Sequence, residues 1–301
     1  MRSTATIETR RLNTCSFADA VKIWNEGFQG YFVDMTLSLD AYLSRLQREG
    51  LSPELSLMAF CDGKPAGFLL NGIRTSAGRK IAWNGGTGVA PEFRGRGVGK
   101  VLMRATMDIY REQEIERATL EALADNQPAI SLYQQFGYEV VDRLTFLAHE
   151  GELSEPAFQS DESESYSAAL VAPYAVGQLQ FYDESAPWQG HWQSLNRQNG
   201  AALIVSDVHG TALGYALYKD KSDEQGRIVE RALHQCVAAP GAAAEAVIGC
   251  ALRKLYAPLE LSFKRTTYNF SKSNQTAQAL LAAAGFRSLI EQVHLVREIH
   301  D

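Results

Sequence analysis

Trp83 to Arg104 reads WNGGTGVAPEFRGRGVGKVLMR. Within these residues a strand ends, the chain turns and a helix begins. Pro91 and the residue before it favour extended or turn backbone, and the glycines admit angles closed to other residues. The strand therefore cannot run on through Ala90 to Gly99. From Val98 the apolar residues Val98, Val101, Leu102, Ala105, Met107 and Ile109 recur at helical spacing, with Lys100, Arg104, Asp108 and Arg111 between them, which predicts a helix starting near Gly97. Its first amides have no carbonyl partners, the positive end of its dipole points the same way, and glycine lets a ligand approach the backbone. Together these make an anion site suited to a phosphate or pyrophosphate. A P-loop would need Gly-Lys-Ser/Thr, but Val101 follows Gly99-Lys100. A dinucleotide fingerprint needs G-x-G-x-x-G, whereas Gly95, Gly97 and Gly99 alternate and follow three strand-like segments.

The stretch resembles the acyl-CoA loop of the GCN5-related N-acetyltransferases (GNAT). That family's Arg/Gln-x-x-Gly-x-Gly/Ala is met by Arg94, Gly97 and Gly99, preceded by Val89-Ala90-Pro91 for its Val-x-Pro. A second family motif follows in order: Leu120-Glu121-Ala122, Asn126, Ala129, Leu132-Tyr133 and Gly137-Tyr138. The resemblance spans residues 1–150 and implies an α/β fold with a mixed sheet, acetyl-CoA as cosubstrate and an amine acceptor. The pyrophosphate would lie on backbone amides from Arg94 through Gly95, Arg96, Gly97, Val98 and Gly99 to Lys100, with the Arg94 and Arg96 side chains pairing phosphate oxygens. In the family the pantetheine arm lies where the strand ending at Gly88-Val89 splays from its neighbour, and Gly85, Gly86 and Gly88 suit a bulge there. An N–H near Val89 would then polarise the thioester carbonyl, and Asn126 would tether the donor or cap the following helix. Tyr133 matches the family's general acid. Glu121 is the expected base, with Asp34 and a water held by Asn84 as alternatives. The acceptor wall would include Tyr31, Phe32, Asp34 and Asn84, or the aromatics there would cap the core. No cysteine lies in either motif, so direct attack in a ternary complex is expected.

Outward from these motifs, a strand is expected over Thr4 to Leu12 and a helix from Phe17 capped by Ser16, with a second helix through Leu39, Tyr42, Leu43 and Leu46. Strands follow at Leu55 to Cys61 and Pro65 to Arg74, joined by a hairpin at Asp62-Gly63, and at Arg79 to Val89. After the loop helix come a strand at Arg117 to Ala124, a helix over 127–136 and a strand at Val140 to His149. Residues 151–165 are acidic and serine-rich and read as a linker. Beyond it the pattern repeats. Gly63 and Gly67-Phe68 are answered by Gly210 and Gly214-Tyr215 at an offset of 147, and Asn126, Ala129 and Gly137-Tyr138 by Asn274, Ala277 and Gly285-Phe286 at an offset of 148. Two tandem acyl-CoA N-acyltransferase folds are expected, the N-terminal catalytic unit at 1–150 and a degenerate one at 166–301. Opposite the arginine-rich turn, the second copy has PGAAAEAVI (240–248), which offers Glu245 to an anion. Trp188, His191 and Trp192 would shape the acceptor entrance or pack internally.

The chain has 301 residues, 46% of them hydrophobic, a net charge of −6 and no basic stripe with interleaved aromatics, which argues against general nucleic-acid binding. No apolar run approaches membrane-spanning length, and MRSTATIETRR lacks the apolar core of a secretion signal, so a cytoplasmic protein is expected. The four cysteines form no C-x-x-C pair, and no metal is expected. The two fused units would act as a monomeric pseudo-dimer or a homodimer. Besides transfer to a small primary amine, two alternatives remain: a regulatory protein that binds acyl-CoA without turnover, and an acetyltransferase of proteins or peptides.

Overall fold

The computed structural model describes residues 6–30, 34–159 and 165–299, and the chain divides into two compact units. One runs to Val141 and takes in the chain end from Leu295; the other is Asp142–His294.

The first unit opens with β1 (Ile7–Arg11), α1 (Phe17–Gly27), α2 (Leu39–Glu49), β2 (Leu57–Cys61), β3 (Lys64–Ser76) and β4 (Arg79–Val89). It continues with α3 (Val98–Glu112), β5 (Arg117–Leu123), α4 (Gln127–Gln135) and the start of β6 (Glu139–His149). Ser16 and Ser38 cap α1 and α2 by accepting the amides of Asp19 and Ala41. The β2–β3 hairpin turns through Asp62 and Gly63, both at positive φ, as an Asp-Gly pair allows. The sheet order is β1-β2-β3-β4-β5, antiparallel except for the parallel pair β4 and β5. Helix α1 covers one face, where the Trp24 ring lies 5.2 Å from Phe68. Helix α3 covers the other, its Val98 and Leu102 side chains so close to Gly67 that a Cβ there would lie 3.2 and 3.3 Å from them. Trp24, Phe68, Trp83, Leu102 and Tyr110 are buried, each worth about 1.5–3 kcal/mol or more of apolar burial.

The second unit contains the rest of β6, then β7 (Tyr166–Val171), α5 (Pro173–Val176), α6 (Trp192–Arg197), β8 (Ala201–Asp207), β9 (Ala212–Ser222) and β10 (Ile228–Ala238). After these come α7 (Ala244–Tyr256), β11 (Lys264–Thr267), β12 (Phe270–Ser271), α8 (Gln275–Ala283) and most of β13 (Arg287–Glu298). Its sheet order is β7-β8-β9-β10-β11-β6. The internal repeat seen in the sequence recurs in the hydrogen-bond register. β3 pairs Gly67 with Val89 and β9 pairs Gly214 with Ala238, and each copy then skips one residue, Gly85 in β4 and His234 in β10. Asn126 and Asn274 cap α4 and α8 alike, accepting from Ala129 and Ala277.

Two expectations change. The boundary read at residue 150 falls instead at Val141, because β6 pairs with β11 and β12 of the second unit, while the end of β13 lies beside β5 of the first. There Ile299 N–H donates to the Glu116 carbonyl, and the Glu298 carboxylate accepts from Arg79 and Arg117 at 2.6 and 2.7 Å. The stretch read as a linker is packed as far as it is described. Leu153, Ala157 and Phe158 are buried in the second core, and Arg253 of α7 donates to the carbonyls of Glu155 and Ala157.

Candidate active site

The loop after β4 is shaped by two glycines in the left-handed region, Gly95 at φ 74° and Gly97 at φ 88°, and Gly97 caps α3. Another residue would be strained there by about 1–2 kcal/mol. The first bond of α3 runs from Val101 N–H to Gly97 O, so helix geometry leaves the amides of Val98, Gly99 and Lys100 without helix carbonyls. These amides open on a cavity of about 560 Å3 whose wall includes Gly95, Gly97, Val98, Gly99, Lys100 and Tyr133.

The strands fork beside this cavity. β4 stays paired with β3 as far as Val89, but its parallel pairing with β5 stops at Asn84 opposite Leu120. Beyond the bulge at Gly85 one edge of β4 therefore has no strand partner among the described residues. Ala90 N–H points to β3, donating to Ala66 O, so strand alternation turns the Val89 N–H to the open side. Val89 and Asn126 both line the cavity. The Asn126 side chain caps α4 through its oxygen, the reading that competed with donor binding, and still stands in the cavity wall.

Arg94 has partners that the sequence did not suggest. Its Nε donates to Val89 O at 3.0 Å and its Nη2 to Gly27 O and Gln29 O at 3.2 and 3.3 Å. The guanidinium thus satisfies carbonyls at the C-terminal end of α1, where a cation is favoured, and ties them to the end of β4, while Arg94 also lines the cavity beside the α3 amides. Arg96 lies over the Phe93 ring at 5.7 Å and is not among the cavity-lining residues, while Lys100 is. Gly27 was not singled out from the sequence. It meets Gly88 so closely that a Cβ on Gly88 would lie 3.2 Å from its Cα and 2.4 Å from the Phe68 ring. The only signal for it was a helix ending in glycine before an aromatic loop.

Tyr133 is buried on α4 and faces the cavity. Burial pushes its phenol above the ordinary value, and hydrogen bonding to the Thr87 and Asn84 side chains pulls it part of the way back. The Asn84 carboxamide is engaged at the bulge: Nδ2 donates to Thr87 Oγ1 at 2.8 Å, and Oδ1 accepts from the Gly86 amide at 3.1 Å. Glu121 is the first residue past the last β4–β5 pair, and its carboxylate accepts the Trp83 indole N–H at 2.8 Å. Asp34 is exposed and lines a recess with Asn25, Glu26 and Thr36 that shares Phe28, Gln29 and Gly30 with the cavity wall, its carboxyl held below the usual range by hydrogen bonds from the Thr36 side chain and amide. Tyr31 and Phe32 lie outside the described residues.

A family model comparison decides what this arrangement belongs to: residues 18–138 match the acetyltransferase (GNAT) family. These residues form a GNAT acetyltransferase domain. The whole chain superposes on a GCN5-related N-acetyltransferase from Sphaerobacter thermophilus with a TM-score of 0.68 at 15% identity, covering 98% of this chain and 96% of that one. It also superposes on a tandem GNAT protein from the clavulanic acid biosynthesis pathway, with a TM-score of 0.59 at 15% identity, over 98% and 100% of the two chains. The expectation of tandem GNAT folds in a mixed α/β architecture is therefore borne out. In sequence the GNAT domain is 29% identical over 92 residues to N-alpha-acetyltransferase 30 of Dictyostelium discoideum, a match that takes in 31% of this chain and 50% of that protein. The chain thus spans half or less of the length of the first curated relatives it matches.

The second unit treats the same positions differently. Its α7 is capped by Ala243 with Glu245 in the first turn. Asn274 Nδ2 donates to Cys236 O of β10 at 2.6 Å, on the strand that corresponds to β4 of the GNAT domain. Trp188 and His191 are buried and a Cβ on Gly177 would strike the Trp192 ring, so these three pack within the unit. No helix among the described residues is long and apolar enough to cross a membrane.

Proposed function

We propose that the first unit is an acetyl-CoA-dependent N-acetyltransferase that moves the acetyl group to a primary amine by direct attack. One observation carries the reading: the exposed amides at the head of α3, the open edge of β4 and the Tyr133 phenol meet on a single cavity. The diphosphate of CoA sits on the amides of Gly97 to Lys100, aided by the helix dipole and the Lys100 charge. The pantetheine arm adds to the β4 edge as a strand would, and the Val89 N–H faces the thioester oxygen. Glu121 at the apex of the fork takes the ammonium proton, directly or through a water, and the Tyr133 phenol gives its proton to the departing sulfur.

A covalent acetyl-enzyme has no support from the thiols. None of the four cysteines is among the cavity-lining residues, and burial raises the Cys15, Cys236 and Cys250 thiols, Cys236 to about 12. In the second unit the Asn274 amide bonds the strand that pantetheine would use, and Glu245 repels a phosphate, so one CoA binds per chain.

The test is thiol release from acetyl-CoA in the presence of small primary amines and of peptides with free N-termini. Release that depends on an acceptor supports the enzyme and names its class. Tight CoA binding with no release from any acceptor would support a CoA-sensing protein instead.

A further inference from the structure

Trp83 is 2% exposed, and its indole N–H, a group that can only donate, goes to a carboxylate that can only accept: Nε1 to Glu121 Oε2 at 2.8 Å. The sheet register brings the two together. Trp83 pairs with Thr119 across the parallel strands β4 and β5, and Glu121 lies two residues beyond Thr119 on the same face of β5, just past the last pair, Asn84 with Leu120. The bulge makes room for the ring. A Cβ on Gly85 would lie 2.6 Å from the Trp83 indole and 2.7 Å from Leu51, so glycine is the residue that fits there. Arg45 of α2 holds the bulge from outside, its Nη2 donating to Gly85 O at 3.3 Å.

We infer that Trp83 is a positioning residue for Glu121: its indole N–H engages Oε2, so that Oε1 is the oxygen that takes the ammonium proton. The inference rests on Glu121 being the general base. The last torsion of a glutamate is broad, and a carboxylate at a strand end can present either oxygen. A bond of fixed direction from a packed ring removes that freedom. The donor's chemistry matters as much as its place. Indole is neutral, so this bond orients the carboxylate without the strong pull by which a guanidinium or ammonium partner would depress its basicity.

In the proton step an N–H bond of the acceptor ammonium breaks, its electron pair stays on nitrogen as the nucleophile, and the proton joins Oε1. The product is a neutral carboxylic acid, which later returns its proton to solvent. Since an indole cannot accept a hydrogen bond through its nitrogen, Oε2 keeps the Trp83 bond before and after, and the acid proton stays on Oε1.

The test removes the N–H and keeps the ring. 3-Benzothienylalanine placed at position 83 puts sulfur where the N–H stands and fills nearly the same volume. It should lower kcat about tenfold with the KM for acetyl-CoA unchanged. In a Glu121→Gln background the same replacement should alter kcat less than about twofold, since the group it acts through is gone. Equal loss in both backgrounds, or wild-type kcat with the analogue, would overturn the inference. If Glu121→Gln alone turned over like the wild type, the base assignment would fail instead, a separable result. A second arm needs no acceptor. In 15N-labelled protein the Trp83 indole N–H signal, assigned by its loss with the analogue, should move upfield in Glu121→Gln, where a neutral oxygen replaces a charged one. A signal unmoved by that change would refute the bond to the carboxylate whatever the kinetics.

Discussion

Arg94 Nε donates to the main-chain oxygen of Val89 at 3.0 Å, so the arginine of the anion loop holds the end of the strand that precedes the loop. The same fork reaches the carbonyls of Gly27 and Gln29 at the end of α1. Arg94→Ala should loosen the loop and weaken CoA binding about tenfold, in line with the loss of one to two charge-assisted hydrogen bonds. Arg94→Lys should recover little, because an ammonium cannot serve three carbonyls with a planar fork. Calorimetric titration with CoA measures both, and wild-type affinity in Arg94→Lys would mean that charge alone matters at this position.

Gly88→Ala places a methyl 2.4 Å from the Phe68 ring and 3.2 Å from the Gly27 Cα. Backbone on one side and a packed ring on the other leave no easy retreat. Overpacking of this kind costs about 1–3 kcal/mol, which thermal unfolding would register as a lowered Tm. Phe68→Leu in the same chain should return part of the loss. An unchanged Tm would show that α1 is not seated against β4 as described.

Glu121→Gln should lower kcat about a hundredfold while leaving the KM for acetyl-CoA nearly unchanged, because the amide keeps a hydrogen bond with Trp83 but cannot take a proton. Steady-state kinetics with the preferred amine decides it. Undiminished kcat would pass the base role to another group.

In the second unit, burial, joined by the charge of Lys219, lowers the His234 imidazole to about 3. His234 is the skipped residue of β10, stacked 5.1 Å from the Tyr268 ring. The folded protein refuses a proton that the unfolded chain accepts below about 6.5, so this contribution is complete above that pH and is lost as pH falls towards 3. By pH 4.5 the loss is about 2–3 kcal/mol, at roughly 1.4 kcal/mol per unit. His234→Phe should flatten that part of the profile in urea titrations run at pH 7 and pH 4.5. An equally steep loss in the variant would place the acid sensitivity elsewhere.

Much of the first unit was legible because its chemistry is local. The turn at Ala90 to Gly99, the helix start after Gly97 and the Asp-Gly hairpin are set by residues that permit few alternatives. What failed depended on distant partners. The carbonyls that Arg94 meets at the end of α1 could not be foreseen, since nothing in the sequence says that α1 ends beside it. Gly27 is needed only because α1 and β4 touch. Averaged composition hid Leu153, Ala157 and Phe158 in an acidic stretch, although three apolar side chains suffice to seat an arm on a core. That the end of β13 would return to β5 has no local signature, since a strand's alternation is the same whichever neighbour it finds.

The proposed function requires one CoA per chain, bound on the amides at the head of α3. Calorimetric titration of CoA into the full chain, into Gly97→Glu and into Ala243→Glu tests it most directly, with circular dichroism confirming that each variant is folded. One site per chain is predicted in the wild type and in Ala243→Glu, with no measurable binding in Gly97→Glu. Two sites per chain, or binding that survives Gly97→Glu and vanishes in Ala243→Glu, would contradict it.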